Sequence, residues 1–259
     1  MKFLVLSALL IAVCAGNALA DAPEPAPTPL VTLEAGTSSE SLSKGRGMWN
    51  DSYLVYVHRT APRSAAYAMF SQSHRFGSSD PEYLAGVYLP ASANTILNLE
   101  VSVSPTHQVL ASSEIGMSLD HRLDRGFGYT IGTAHRTYPG LEVQGESMLV
   151  DRYWGSERAS YKLSAVQLSN VIGYSFTHSV SYSHYYGMQG LSHITAALSA
   201  GRDAENVGTG VLISSVSSAS LGGTHWFDQQ WALTWLATTT RQGSLYSRSG
   251  IQLGLRRRL

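Results

Sequence analysis

The chain has 259 residues, with 18 basic and 18 acidic side chains and a single cysteine, Cys14. Zero net charge leaves no electrostatic footprint for a nucleic-acid partner, and one cysteine excludes a disulfide framework. Beyond residue 20 no stretch reaches the roughly 18 apolar residues that a membrane helix needs, a test that is blind to strands.

The first 20 residues, "MKFLVLSALLIAVCAGNALA", carry one lysine, an apolar run from Phe3 to Val13 and the small-residue pattern Ala18-Leu19-Ala20. They read as a secretory signal peptide cut between Ala20 and Asp21. The cut removes Cys14; lipidation of that cysteine is the rival reading, but Ile11-Ala12-Val13 is a poor approach to such a site. Residues 21–29, "DAPEPAPTP", are a proline-rich periplasmic leader.

From Leu30 to Leu259 the chain alternates in runs of about ten residues, broken by Gly, Pro, Asn, Asp and Ser, as strands do. "EYLAGVYLP" and "NTILNLEVSVS" predict a hairpin around residues 90–94. In "GFGYTIGTAHR", Phe127, Tyr129 and Ile131 share one face, with Gly128, Thr130 and Gly132 on the other. "NVIGYSFTHSVSY" repeats the pattern, with Phe176 and Val180 against Ser175 and Ser179, and His178 in the apolar register. "GLSHITAALSAG", "TGVLISSVSSASLGG" and "WALTWLATTTRQG" supply further strands.

The polar face identifies the environment. It is rich in Gly, Ser and Thr, and Lys44 and Lys162 are the only lysines after residue 20. A soluble sandwich presents Lys and Glu outward. Small polar residues opposite aromatics and aliphatics suit lipid outside and a wet lumen inside. The expected fold is therefore all-β, a closed antiparallel transmembrane barrel over residues 30–259. Its strand number is even, about twelve, with fourteen if every run is a strand. Aromatics at strand ends, among them Trp49, Tyr53, Tyr138, Tyr153, Trp154, Tyr185, Tyr186, Trp226, Phe227, Trp231 and Tyr246, would form girdles at the two interfaces.

The last residues, "SGIQLGLRRRL", keep the alternation to the chain end. Terminal residues usually fray, whereas a barrel's final strand must pair with its first. Leu253 and Leu255 should face lipid, and Arg257 falls at an outward position.

Four His-Arg dipeptides stand at proposed strand ends: His58-Arg59, His74-Arg75, His121-Arg122 and His135-Arg136. They divide between the two rims, either reaching for lipid phosphates and solvent or forming a basic lining for anionic sugars. Asp51, Asp120, Asp124, Glu142, Glu146 and Asp151 are placed to neutralise them within the lumen, and "DHRLDRG" reads as a salt-bridged periplasmic turn. No zinc spacing, phosphate loop or Gly-x-Ser-x-Gly elbow occurs. His178 and the serines around it have no committed acid, so no catalytic residue, cofactor or metal ligand is assigned.

"SPTHQVLASSEIGMSLDHRLDRGFGYTIGTAHRTY", "VDRYWGSERASYKL" and "TRQGSLYSRSGIQLGLR" together resemble the YaiO family of outer-membrane β-barrel proteins. The resemblance implies a monomeric barrel in the outer membrane of a Gram-negative bacterium and no reaction. Family members often sit beside glycosyltransferases, so a link to surface polysaccharide is an analogy. Three readings follow: a channel or accessory for oligosaccharide or polysaccharide, a structural or interaction barrel with a plugged lumen, and a lipid A-modifying enzyme. The expected partners are outer-membrane lipid, the barrel assembly machinery through the terminal strand, and an anionic oligosaccharide.

Overall fold

The structure, a computed structural model, describes residues 30–44, 47–187, 190–206 and 211–259, with backbone alone over 203–206 and 211–213. The signal peptide and leader fall outside these residues. The strands are β1 (Leu30–Leu42), β2 (Met48–Ala61), β3 (Ser64–Arg75), β4 (Ser78–Pro90), β5 (Thr95–Val103), β6 (Ser113–Arg122) and β7 (Phe127–Tyr138). They continue as β8 (Leu141–Trp154), β9 (Glu157–Leu168), β10 (Ser175–Tyr186), β11 (Ser192–Asn206), β12 (Val211–Trp226), β13 (Trp231–Gln242) and β14 (Tyr246–Arg258). Each pairs antiparallel with its neighbours in sequence, and β1 pairs with β14 to close a barrel.

The strand number is fourteen, the upper of the two expected counts. Very short connections make room for the extra hairpin. Residues 62–63, 76–77, 139–140 and 155–156 each join two strands. Gly77, Gly140 and Gly155 take positive φ in three of them, where a side chain would strain the turn. The expected hairpin around residues 90–94 joins β4 to β5.

An even strand number brings both ends of the barrel to one edge, here termed the terminal rim; the opposite edge is the distal rim. The register shows how steeply the strands tilt. A row of Cα partners leaves Leu30 at the terminal rim through Arg59, Ala65, Tyr88, Asn98, Ser118 and Gly132. It continues through Ser147, Ser164, Thr177, Gly201, Val216 and Gln242 to Tyr246 at the distal rim. One circuit thus climbs the whole of β1. That fits a strand tilt of about 35–45° and a backbone radius of roughly 13 Å.

Alternation sorts the side chains as expected. Ile131, Phe176, Leu253 and Leu255 are exposed on the outer wall, and Ser175 is buried inside. Thr130 also faces inward, where its hydroxyl donates to Asp120 at 3.0 Å. Exposed Leu54, Phe70, Leu99, Val101, Met117, Met148, Val180, Leu198 and Leu221 continue the apolar outer surface around the barrel. Towards the distal rim the outer wall turns polar: Ser41, Asn50, Ser52, His74, His135, Glu142, Glu146, Arg202, Ser217, Arg241, Ser247 and Ser249 are all exposed. The apolar belt therefore lies nearer the terminal rim.

The aromatics correct the girdle expectation. Trp154 and Phe227 are exposed, but Trp49, Tyr138, Trp226 and Tyr246 are buried on the lumen side. Tyr53 also points inward, hydrogen-bonding Glu34, and Tyr153 lies beneath the guanidiniums of Arg122 and Arg158. Inward aromatics need neighbours without side chains, and the inward glycines supply them. A Cβ on Gly86 would overlap the Tyr67 ring, and one on Gly36 or Gly254 would overlap Tyr53. The glycines of the polar face are thus sockets for tyrosines as well as small lumen residues.

The terminal strand does not fray. The backbone N–H of Leu259 donates to the Val31 carbonyl at 2.9 Å, and that of Arg258 to Gln230 at 2.8 Å. Glu34 fastens the closing seam from inside, accepting from Tyr53 on β2, Thr234 on β13 and Arg256 on β14 at 3.0, 2.8 and 2.7 Å.

Candidate functional site: the barrel lumen

The lumen wall has two unlike halves. On β1 to β8 charged side chains recur among the inward positions, and most of these charges are ion-paired. Arg75 reaches Asp51 at 3.2 Å, Arg136 grips Glu114 with two bonds of 2.7 and 2.9 Å, and Arg256 holds Glu34 at 2.7 Å. Arg248 of β14 contacts Glu40 at 3.2 Å. Asp151 takes both Arg122 and Arg158, at 3.1 and 2.8 Å, and Arg122 also reaches Asp120 at 3.1 Å. Glu82 accepts from Ser71 and Ser102, while Glu100 accepts from Tyr67. Breaking any one of these partly buried pairs leaves a charge behind, which is how such networks fix a unique wall even where they add little net stability.

On β9 to β13 Ser and Thr hydroxyls predominate among the described inward positions, Arg158 and Lys162 being the inward cations. Successive cross-strand rows place Lys162, Ser179, Ser199, Ser218 and Thr240 at one level, and Ser160, Ser181, Ala197, Ser220 and Thr238 at the next. Several hydroxyls bond directly across strands: Ser160 with Ser181 at 2.7 Å, Ser183 with Thr195 at 2.8 Å, and Ser199 with Ser218 at 2.6 Å. Among the described side chains, no inward Asp or Glu occurs on these five strands. A hydroxyl uses one proton and can accept twice, so each bonded pair keeps lone pairs free for a solute.

The distal mouth is narrowed from two sides. Trp49, Leu42 and Tyr246 form one buried cluster with Phe76 and Leu245; the Trp49 ring lies under both Arg75 and Arg248, at 5.1 and 5.3 Å. Tyr138, Leu141, Val143 and Leu168 form the other, against which Ala111 packs. Ala111 belongs to the connection 104–112, which is tied back to β4. The Asp80 carboxylate, fully buried, accepts the backbone N–H groups of Val109 and Leu110 at 2.6 and 2.9 Å and the Thr106 hydroxyl at 2.6 Å.

The four His-Arg pairs do divide between the rims: those of β2 and β6 lie towards the terminal rim, those of β3 and β7 towards the distal rim. Strand alternation also splits every pair. Arg75, Arg122 and Arg136 turn into the lumen and are ion-paired, and Arg59 occupies an inward position level with Ala65, which is buried. The histidines of the same pairs fall on the outer wall. His74 and His135 are exposed there, and His121 bonds the Thr95 hydroxyl at 2.9 Å.

Of the six acids placed beside them, Asp51, Asp120 and Asp151 line the lumen. Glu142 and Glu146 are exposed outside, because buried Leu141 and Val143 take the inward register of β8. Asp124 sits in the short 3₁₀ turn Asp124–Gly126. The salt bridges of "DHRLDRG" therefore belong to the lumen wall rather than the turn. His178 is also outside, 2.6 Å from the Tyr161 hydroxyl and separated by alternation from the inward serines. Among the described residues no cluster of three metal-ligating side chains occurs.

Sequence reading missed the two-part wall, because Ser and Thr register only as polar. It also missed Glu34, Asp80 and Lys162 as individuals. Lys162 had a visible signal: an isolated lysine flanked by Tyr161 and Leu163 in a lysine-poor chain.

Comparison with known proteins agrees with this architecture. No curated protein matches the sequence significantly. A bacterial polysaccharide outer-membrane secretin superimposes with TM-score 0.60 at 9% identity, covering 88% of this chain and 98% of that one. OpdQ of Pseudomonas aeruginosa superimposes with TM-score 0.52 at 7% identity, covering 90% and 99%. Likeness at such identities shows a shared fold. The model of the YaiO membrane β-barrel domain matches residues 31–206, more than half of the chain, spanning the eight strands of the charged wall and β9 to β11 of the hydroxyl wall. The chain belongs to the YaiO family of outer-membrane β-barrels.

Proposed function

We propose that this barrel is an outer-membrane channel for oligosaccharide, with the terminal rim towards the periplasm, and that it works as a monomer without catalysing a reaction. The observation that carries this reading is the hydroxyl wall of β9 to β13. Rows of Ser and Thr offer donors and acceptors at short, regular intervals, which matches the dense hydroxyls of a sugar. The two central rows, from Lys162 to Thr240 and from Ser160 to Thr238, hold no carboxylate, so at these levels a saccharide exchanges water for hydroxyl partners without displacing an ion pair. The likeness to a polysaccharide secretin supports the reading through its fold. A radius of roughly 13 Å leaves room beyond the side chains, since barrels filled by their own residues are usually much narrower. Export by cleavage after Ala20, and insertion by the assembly machinery through β14, belong to the same proposal.

A second reading, an interaction barrel with a filled lumen, is favoured by the distal mouth, where two apolar clusters and connection 104–112 close in. Liposome swelling separates the two. Vesicles holding the purified barrel should swell in isotonic maltotriose faster than protein-free vesicles. No swelling in maltotriose or in glucose would favour the filled lumen.

A further inference from the structure

Most lumen cations are already spent on lumen acids. Arg75, Arg122, Arg136, Arg158, Arg248 and Arg256 all hold carboxylates. Lys162 differs: among the described residues no carboxylate lies within ion-pair distance and no hydrogen bond to its ammonium is formed. It stands half-way along β9, at the border of the two walls. Its cross-strand neighbours are Leu149 on one side and Ser179 on the other. Its level continues through Ser199, Ser218 and Thr240. At the terminal mouth two more inward cations lack a carboxylate among the described residues. Arg59 is level with Leu30, and Arg258 lies 3.8 Å over the Trp226 ring.

We propose that Lys162, set in the hydroxyl wall, is a mid-lumen binding station for the carboxylate of an acidic saccharide. This inference rests on the channel reading and names its substrate class. The surrounding hydroxyls hold the sugar ring while the ammonium takes the charge. An ammonium is a compact donor on a flexible stem, so it follows a moving carboxylate. A paired arginine would first have to give up its own acid. Arg59 and Arg258 at the mouth raise the local concentration of anions and so feed this station.

The test is single-channel recording in planar bilayers, with oligogalacturonate and maltohexaose as probes. In the wild type, oligogalacturonate should block at concentrations about tenfold below maltohexaose, and a KCl gradient should show preference for chloride. Lys162→Gln should abolish the tenfold difference and lower the chloride preference; Lys162→Arg should keep both. Heat-modifiable gel mobility confirms that each variant is folded. Conductance with the same block constants in wild type and Lys162→Gln would overturn the Lys162 assignment alone. A wild-type barrel that carries no current would overturn the channel reading along with it.

Discussion

Replacing Ile131 by arginine tests which wall faces lipid. Ile131 is 47% exposed on the bare barrel and belongs to an outer row with Leu119, Met148 and Leu163. It lies four positions along from Phe127 at the terminal end of β7, about 10 Å of depth on a tilted strand. An arginine reaches part of that distance and snorkels incompletely. A cost of about 2–3 kcal/mol follows for a guanidinium at this level. Thr130→Arg is the control. It points into the lumen beside Asp120, where a new guanidinium finds water and a carboxylate, so its cost should stay below about 1 kcal/mol. The difference of about 2 kcal/mol is roughly thirtyfold in the folding equilibrium. Urea titration of each variant refolded into phospholipid vesicles measures it. Equal costs at the two positions, or a greater cost at Thr130, would refute the assignment of faces.

Three further outcomes are expected. Glu34→Ala removes three hydrogen bonds that tie β1 to β2, β13 and β14 around the closing seam and leaves Arg256 without its acid, so it should destabilise the barrel by about 2–4 kcal/mol in the same titration; Glu34→Gln should cost less. Asp80→Ala frees connection 104–112 from its three tethers, and a protease added outside intact cells should then cut it while sparing the wild type, with no loss of heat-modifiable mobility. Deleting "GLRRRL" removes the partners of Thr32 to Gly36 and leaves unpaired backbone groups in hydrocarbon, each worth several kcal/mol. It should abolish recovery of folded barrel from outer membranes, whereas deleting "DAPEPAPTP" should be tolerated and Leu259→Phe should assemble at least as well as the wild type.

The parts of this fold that sequence disclosed are those where the period of two meets a sharp contrast in polarity. In β7, β10 and β14, aliphatics and aromatics oppose Gly and Ser, so face and register were both readable, down to the outward places of Ile131, Phe176 and Leu253. Where both faces are mixed the same period becomes ambiguous. β8 puts Glu142 and Glu146 outside and Leu141 and Val143 inside near the distal rim, because that end of the outer wall is polar and the mouth beneath it is packed. The rim aromatics misled for a related reason: Trp49 and Tyr246 fill the inner mouth rather than the interface. The His-Arg pairs were visible as strand-end features, but splitting each between lumen and outer wall requires the register. Contacts such as the Asp80 tether join residues 26 to 30 apart in sequence through a side chain and two amides, and no local pattern encodes them.

The account stands on an open lumen with Lys162 inside it, and amine chemistry tests both at once. Lys44 lies at the exposed turn after β1 on the distal rim, and Lys162 lies midway through the barrel. The folded protein in detergent micelles is treated at mildly alkaline pH with a small, charged, membrane-impermeant acylating reagent, and each lysine is read by peptide mass spectrometry. The open lumen predicts acylation of Lys162 as well as Lys44, with Lys162 protected when the reagent is replaced by one too bulky to enter. Complete modification of Lys44 with Lys162 untouched by the small reagent, yet fully modified after unfolding, would contradict it.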